Sequence, residues 1–293
     1  MSESNVGRSA AGGHADSDSL EALAKRAASG DRAALGQVCE ALRDPIFRLS
    51  LRFFSDPADA EDCTQEILLK VITHLGSFEG KSKLTTWVYR IASRHLLKTK
   101  RQGAEPTVQS ASEIAEYLDA NLASQPYSAA DEAEYKLLRD EVRTSCTYGM
   151  LLTLSRDVRL AYILGDLLGL SDKEASEALE ISPAAFRQRL ARARKTIRPI
   201  IAKRCGLVDE SNPCRCDRQI QAALDNGLIP ESGPVLMKLE RDASAIRPES
   251  LSRAIGQLDV AERFADLFRS EPQFRAPERI MDQLRRACPD LLG

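Results

Sequence analysis

Histidine is scarce in this chain of 293 residues: there are three, against 41 lysines and arginines and 43 aspartates and glutamates. Three scattered imidazoles offer little for acid–base chemistry. No P-loop, dinucleotide fingerprint or nucleophile elbow is present either, so no catalysis is expected. No apolar run approaches the length of a membrane span. Alternating β-branched runs and Asn-Gly or Asp-Gly turns between them are missing, which excludes a hairpin-built β fold. Residues 1–19 are rich in Ser, Gly, Ala and Asp and lack the apolar centre of an export signal. They read as a disordered tail. A chain without an export signal is expected in the reducing cytoplasm, where its seven cysteines serve as free thiols or metal ligands before they serve as disulfides.

What is present is helix signal throughout, with 43% hydrophobic and 29% charged residues, over a length that suggests two or three domains. The net charge of −2 says nothing about nucleic acid, but its distribution does. Arg90 to Arg101 holds five basic residues and no acid, and Arg187 to Arg204 holds eight and no acid. Gln102 to Ser145 between them holds nine acidic and three basic residues. Two basic surfaces separated by an acidic stretch suggest two nucleic-acid contacts joined by a segment that avoids DNA. Helices are expected from Leu20 to Ser29, from Asp31 to about Leu42, from Ile46 to Phe54 after Pro45, from Asp56 to about Leu75, and from Leu84 to Lys100. Residues 102–130 lose periodicity and read as a linker with a short helix near Ile114 to Leu122; helix resumes at Asp131.

The sharpest local pattern runs from Gly169 to Leu190. Ser171 and Glu174 form a capping box, and Ala175, Ala178 and Leu179 give a small apolar face that a second helix can cross closely. Ile181 fills the corner, Ser182 caps the second helix, and Pro183 takes its first position. Phe186 and Leu190 point inward, which leaves an outer face free of acid. This is a helix-turn-helix, whose second helix enters the major groove by its N-terminal end. Ser182, Ala184, Ala185, Arg187 and Gln188 are placed for base edges, and Arg189, Arg192 and Lys195 for phosphates. An ordinary helical hairpin with a basic outer face is the plain alternative.

Further upstream, Asp59, Asp62, Gln65 and Glu66 fall at spacings of three and four, forming one acidic, polar stripe on a helix capped by Asp56 and opened by Pro57. Alone, such a stripe is a solvated face.

Together these segments resemble the extracytoplasmic-function class of sigma factors, within the sigma-70 superfamily. Leu170-Ser171 through Arg194-Lys195 is similar to the domain of that class that reads the −35 promoter element. Asp56 to Glu66 resembles its polymerase-binding helix, which implies that Asp59, Asp62, Gln65 and Glu66 contact a basic coiled coil on the polymerase clamp. Leu75 to Ala92 resembles its −10 segment, which implies that the loop from Phe78 to Lys83 cradles an unstacked base. Lys81, Ser82 and Lys83 would then hold phosphates, and Trp87 and Tyr89 would either stack on bases or pack the core. Arg90, Arg94, Lys98 and Arg101 are the matching phosphate contacts. After Ala92 the sequence departs from the usual pattern with Ser93-Arg94-His95, so no particular −10 sequence is implied; His95 reads as a surface residue. The resemblance implies core RNA polymerase and promoter DNA as partners, with an anti-sigma protein as a further candidate. The competing reading is a helix-turn-helix regulator that binds DNA without polymerase, which leaves the acidic stripe and the Phe78 to Tyr89 segment idle.

The expected architecture is all-α. A tail (1–19) precedes a region 2 bundle (20–101), an acidic linker (102–130), a region 4 helix-turn-helix (131–204) and a helical extension (205–293). The class usually ends near Arg204. The extension opens with Cys205, Cys214 and Cys216, candidate soft-metal ligands with Cys288, Asp217 or a distant group as a fourth; redox sensing and a purely structural role stand beside metal binding. Helices are expected over Arg218–Leu228, Val235–Asp242, Leu251–Phe268 and Pro277–Leu292. Such a module can fold back on the two DNA-reading domains and hold the factor inactive.

Overall fold

The computed structural model describes residues 13–100, 110–129, 131–242 and 266–292. They are all-α, and among them the extended pairings are isolated bridges between Cys205 and Cys214 and between Arg241 and Phe274. Helix α1 spans Gly13–Ala28, so the chain is helical from within the segment expected to be a disordered tail. Gly30, at φ +96°, turns the chain into α2 (Arg32–Phe54).

Helix α2 is continuous where the sequence suggested two helices broken at Pro45. An interior proline costs roughly 3 kcal/mol, partly because it frees the carbonyl four residues earlier. That carbonyl belongs to Ala41, which is exposed, so water can satisfy it. Leu42, Ile46, Leu49 and Phe53 on both sides of the proline enter one core. Each contributes about 1.5–3 kcal/mol of burial, which outweighs the break.

Helix α3 (Pro57–His74) starts where the caps place it: the Asp56 carboxylate accepts from the Asp59 N–H at 2.9 Å, with Pro57 at the first position. After a short 3-10 turn at Leu75–Ser77 and a loop, α4 covers Leu84–Lys98. Helices α1 to α4 pack around Val38, Phe47, Ile67, Val71, Leu84 and Val88.

The part of the expected linker that is described is packed. Helix α5 (Ala111–Ala120) carries a capping box between Ser110 and Glu113. It lies against α9, and Arg204 forks onto Asp119 at 2.8 and 2.7 Å. Helix α6 (Glu132–Leu152) is capped by Asp131. Then come α7 (Arg156–Tyr162), a π-helical turn at Ile163–Leu167, α8 (Asp172–Leu179) and α9 (Pro183–Ala202). Arg159 stitches this half to the first. Only 3% exposed, it donates to the carbonyls of Leu151, Leu152 and Leu154 and, at 2.6 Å, to that of Phe53 at the end of α2.

The described residues of the extension are less helical than their pattern suggests. They hold a 3-10 turn at Cys216–Gln219, α10 (Ile220–Asp225), a 3-10 turn at Leu236–Lys238 where a longer helix was expected, α11 (Arg279–Ala287) and α12 (Pro289–Leu292). Most of the helix expected from Leu251 lies outside the described residues. The extension is woven into the main core: Leu267, Phe268, Phe274, Ile280, Met281 and Leu284 belong to the same apolar cluster as α2 and α3. The Glu141 carboxylate, 1% exposed, accepts from the N–H groups of Val235, Leu236 and Met237 and so ties the extension to α6.

Candidate nucleic-acid interface

Helices α8 and α9 form the expected helix-turn-helix. Ser171 and Glu174 make the reciprocal capping box, Ala175 and Ala178 are buried at the crossing, and Ser182 accepts from the Ala185 N–H at 3.1 Å. Phe186 and Leu190 face inward against Gly165, where an added Cβ would stand 2.9 Å from the Phe186 ring, so a bare backbone is what lets α9 approach. On the outer face Ser182, Ala184, Arg187, Gln188, Arg192 and Lys195 are exposed, and Ala185 and Arg189 are half-buried. Two of the arginines are tethered within the unit, Arg187 to Asp172 at 3.1 Å and Arg189 to Asp157 at 3.4 Å.

In the first half, the Phe78 and Trp87 rings meet in a tilted contact with centroids 5.6 Å apart, both partly buried against the core. Lys81 pairs with its neighbour Glu79. Arg90 has a buried Nε without a hydrogen-bond partner, while Arg94 and Lys98 are exposed. Arg101 lies outside the described residues. His95 is half-buried rather than on the surface; it stands 3.5 Å from Glu66, and burial lowers its pKa. On α3, Asp62 and Glu66 are exposed and Asp59 and Gln65 half-buried.

Sequence reasoning did not foresee that these two surfaces meet. Helix α4 packs on α8. Lys83 pairs with Glu174 at 2.9 Å, and the Arg94 guanidinium forks onto both carboxylate oxygens of Glu180. Side-chain hydrogen bonds from Lys83 and Ser171 hold the Glu174 carboxyl down at about 2, and Arg94 lowers that of Glu180. Two candidate −10 cations are thus engaged by the first helix and turn of the helix-turn-helix. The extension brackets α3 from the other side: Arg279 forks onto Glu61, a buried neighbour of the acidic stripe, and Arg43 on α2 pairs with Glu278 at 3.4 Å.

The three extension cysteines also gather. Cys205 and Cys214 face each other across their bridge, and Cys216 packs on α6. A fourth thiol, Cys146 of α6, is electrostatically coupled to all three. Nothing in the local spacing could reveal it, because it comes from another helix. Cys288, considered as a fourth ligand, sits instead beside Cys39 of α2, and Asp217 accepts a hydrogen bond from the Tyr135 hydroxyl at 3.0 Å. Among the described residues no group of three or more such donors is spaced to hold a metal ion as it stands.

Comparison with known proteins agrees with this layout. Residues 38–105 match the family model for sigma-70 region 2, and residues 145–197 that for sigma-70 region 4. The RNA polymerase sigma-H factor of Pseudomonas aeruginosa is 30% identical over 179 residues, which is 60% of this chain and 90% of that protein. The chain belongs to the sigma-70 family. This sigma factor is also 29% identical over 181 residues to the ECF RNA polymerase sigma-E factor of Escherichia coli K12, covering 60% of this chain and 91% of the relative. A solved structure of CnrH in complex with the cytosolic domain of CnrY covers 63% of this chain and 98% of that one, at 19% identity and a TM-score of 0.45. No helix among the described residues is long and apolar enough to cross a membrane.

Proposed function

We propose that this sigma factor binds core RNA polymerase through the α3 stripe of Asp59, Asp62, Gln65 and Glu66, and directs promoter-specific initiation with two DNA-reading surfaces. The loop and helix from Phe78 to Lys98 take the −10 element; α9, from Ser182 to Lys195, takes the −35 element. The protein works in the cytoplasm and leaves the chemistry to the polymerase. The observation that carries this reading is a helix-turn-helix with an acid-free recognition face, in one chain with a second basic helix beside an acidic stripe whose Asp62 and Glu66 are exposed.

The α4–α8 contact adds a regulatory reading. With Lys83 and Arg94 held by Glu174 and Glu180, the free protein is closed toward promoter DNA, and engagement of polymerase separates the two halves. The extension favours the closed form, because α11 and the Glu141 contacts lock it to both halves. Run-off transcription with purified core polymerase on a genomic library tests the main reading: promoter-specific transcripts are expected. DNA binding that needs no polymerase, with no transcripts, would instead point to a stand-alone regulator. Deleting the extension would strip apolar residues from the core, so the regulatory reading is better tested in the full chain. Arg279→Ala should raise transcription several-fold if the extension restrains the protein; unchanged output sinks that idea.

The gathered thiols leave soft-metal binding as a separate proposal. Titration of the reduced protein with zinc, followed by proton release, tests it, since thiols must ionise to bind metal.

A further inference from the structure

A cleft of about 250 Å³ lies where all three parts of the protein meet. Arg48 and Arg52 of α2 and Tyr89 of α4 line it on one side, Leu168 after the π turn on another, and Arg269 and Gln273 of the extension on the third. Arg52 is 3% exposed, and its Nε is buried without a hydrogen-bond partner. Burial holds the Arg48 guanidinium below its ordinary pKa, opposed by Asp44 and Asp242 and reinforced by the like charge of Arg52. Arg48 reaches the Phe274 carbonyl only at 3.5 Å. Arg269 is held at the rim, with its Nε donating to the Asp166 carbonyl at 2.9 Å and its Nη1 to Asp266 at 3.0 Å. Glu271 also acts on Arg52, but burial raises its pKa and its foremost charge partner is Arg143.

A buried guanidinium with an unmet donor is expensive, and such a group calls for a specific explanation, a missing ion among them. Three guanidinium groups line this small cleft, and the unmet Arg52 donor beside them favours an anionic occupant with several acceptor oxygens. Phosphate is such an anion, and its oxygens match the planar fork of arginine. Tyr89, close to both Arg48 and Arg52, also lines the wall.

We propose that this cleft is a binding site for a small phosphate-bearing anion, held by Arg48, Arg52 and Arg269. Because its walls come from both DNA-reading halves and from the extension, an occupant cross-links all three and favours the closed arrangement. The site is independent of the polymerase reading, since it is assayed without polymerase or promoter.

The test is calorimetric titration of the full-length chain with sodium pyrophosphate and with inorganic phosphate at fixed ionic strength, alongside thermal melts. Saturable binding at one site per chain and a raised Tm are expected. Arg269→Gln at the exposed rim and Arg48→Gln should each weaken it about tenfold or more, the size of a lost charge-assisted hydrogen bond. Arg52→Gln should do the same; if that variant fails to fold, the other two decide. The proposal is overturned if neither anion binds saturably, if sodium chloride reproduces the Tm change, or if Arg48→Gln and Arg269→Gln bind as the native chain does. It is equally overturned if a single-stranded oligonucleotide binds the cleft while pyrophosphate does not.

Discussion

At the scale of single residues, Glu180 carries the clearest tension. It ends α8 at φ 55° and ψ 42°, a left-handed conformation that costs a non-glycine residue roughly 1–2 kcal/mol. Its carboxylate is also the one that occupies Arg94. The pair is exposed, so its own contribution is under about 1 kcal/mol. Glu180→Gly should therefore leave the melting temperature unchanged or slightly higher while freeing Arg94. Affinity of the free protein for a single-stranded −10 oligonucleotide should rise; a fall in Tm of several degrees would contradict this account. The cysteines make a second prediction. Burial pushes the thiols of Cys39 and Cys63 up to about 12 and that of Cys214 to about 11, and it raises Cys146, Cys205 and Cys216 as well. Only thiolates react, so alkylation of the native protein at pH 8 should be slow at these six positions and fast after unfolding, read by mass spectrometry. Rapid native labelling at Cys214 or Cys216 would count against this half-buried, protonated cluster and in favour of redox sensing.

At the scale of elements, caps and turns decided most boundaries. Asp56-Pro57, Ser171 with Glu174, and Ser182-Pro183 begin α3, α8 and α9 where their chemistry requires, because each satisfies backbone donors within a few residues. The candidate recognition face of α9 was legible for the same reason. Pro45 misled, since its local cost is overruled by long-range burial along α2. The extension misled in the other direction: an amphipathic pattern near Val235 becomes a 3-10 turn capped by Glu141, because the chain turns extended at Leu239 and residues 240–242 pair with 273–275 instead of continuing a helix. Arg159 shows what joins elements of different halves. Replacing it with Met should cost roughly 2–4 kcal/mol, since its four carbonyl partners in the end of α2, the end of α6 and the turn that follows lose a buried donor. Urea unfolding measures this, and a change below about 0.5 kcal/mol would show that the stitch is dispensable.

At the scale of the whole molecule, the carboxylates of Glu174 and Glu180 add a pH-dependent contribution to the contact between the two halves, beside the shared apolar core and Arg159. The sign of their pH dependence follows from the lowered pKa of Glu174, about 2, and of Glu180. An acid with a depressed folded pKa stabilises the contact above its unfolded value and loses that contribution as pH falls through the folded one. The closed arrangement should therefore loosen between about pH 4.5 and pH 2, and should also loosen with salt, because the pairs are partly exposed. Fluorescence of Trp87, the only tryptophan, beside Phe78 on the loop that precedes α4, can follow the transition. Glu174→Gln should remove much of its pH dependence; an unchanged acid profile in that variant would show that another group controls it.

The sequence by itself determined the helical class, the caps, the helix-turn-helix and the sign of charge on each face, because these depend on residues within one or two turns of each other. Tertiary structure alone decided that α4 rests on α8, that Cys146 joins Cys205, Cys214 and Cys216, and that Arg48, Arg52 and Arg269 share a cleft. Those meetings bring together side chains far apart along the chain, and no local periodicity records which buried surface a helix will choose when several can cover it.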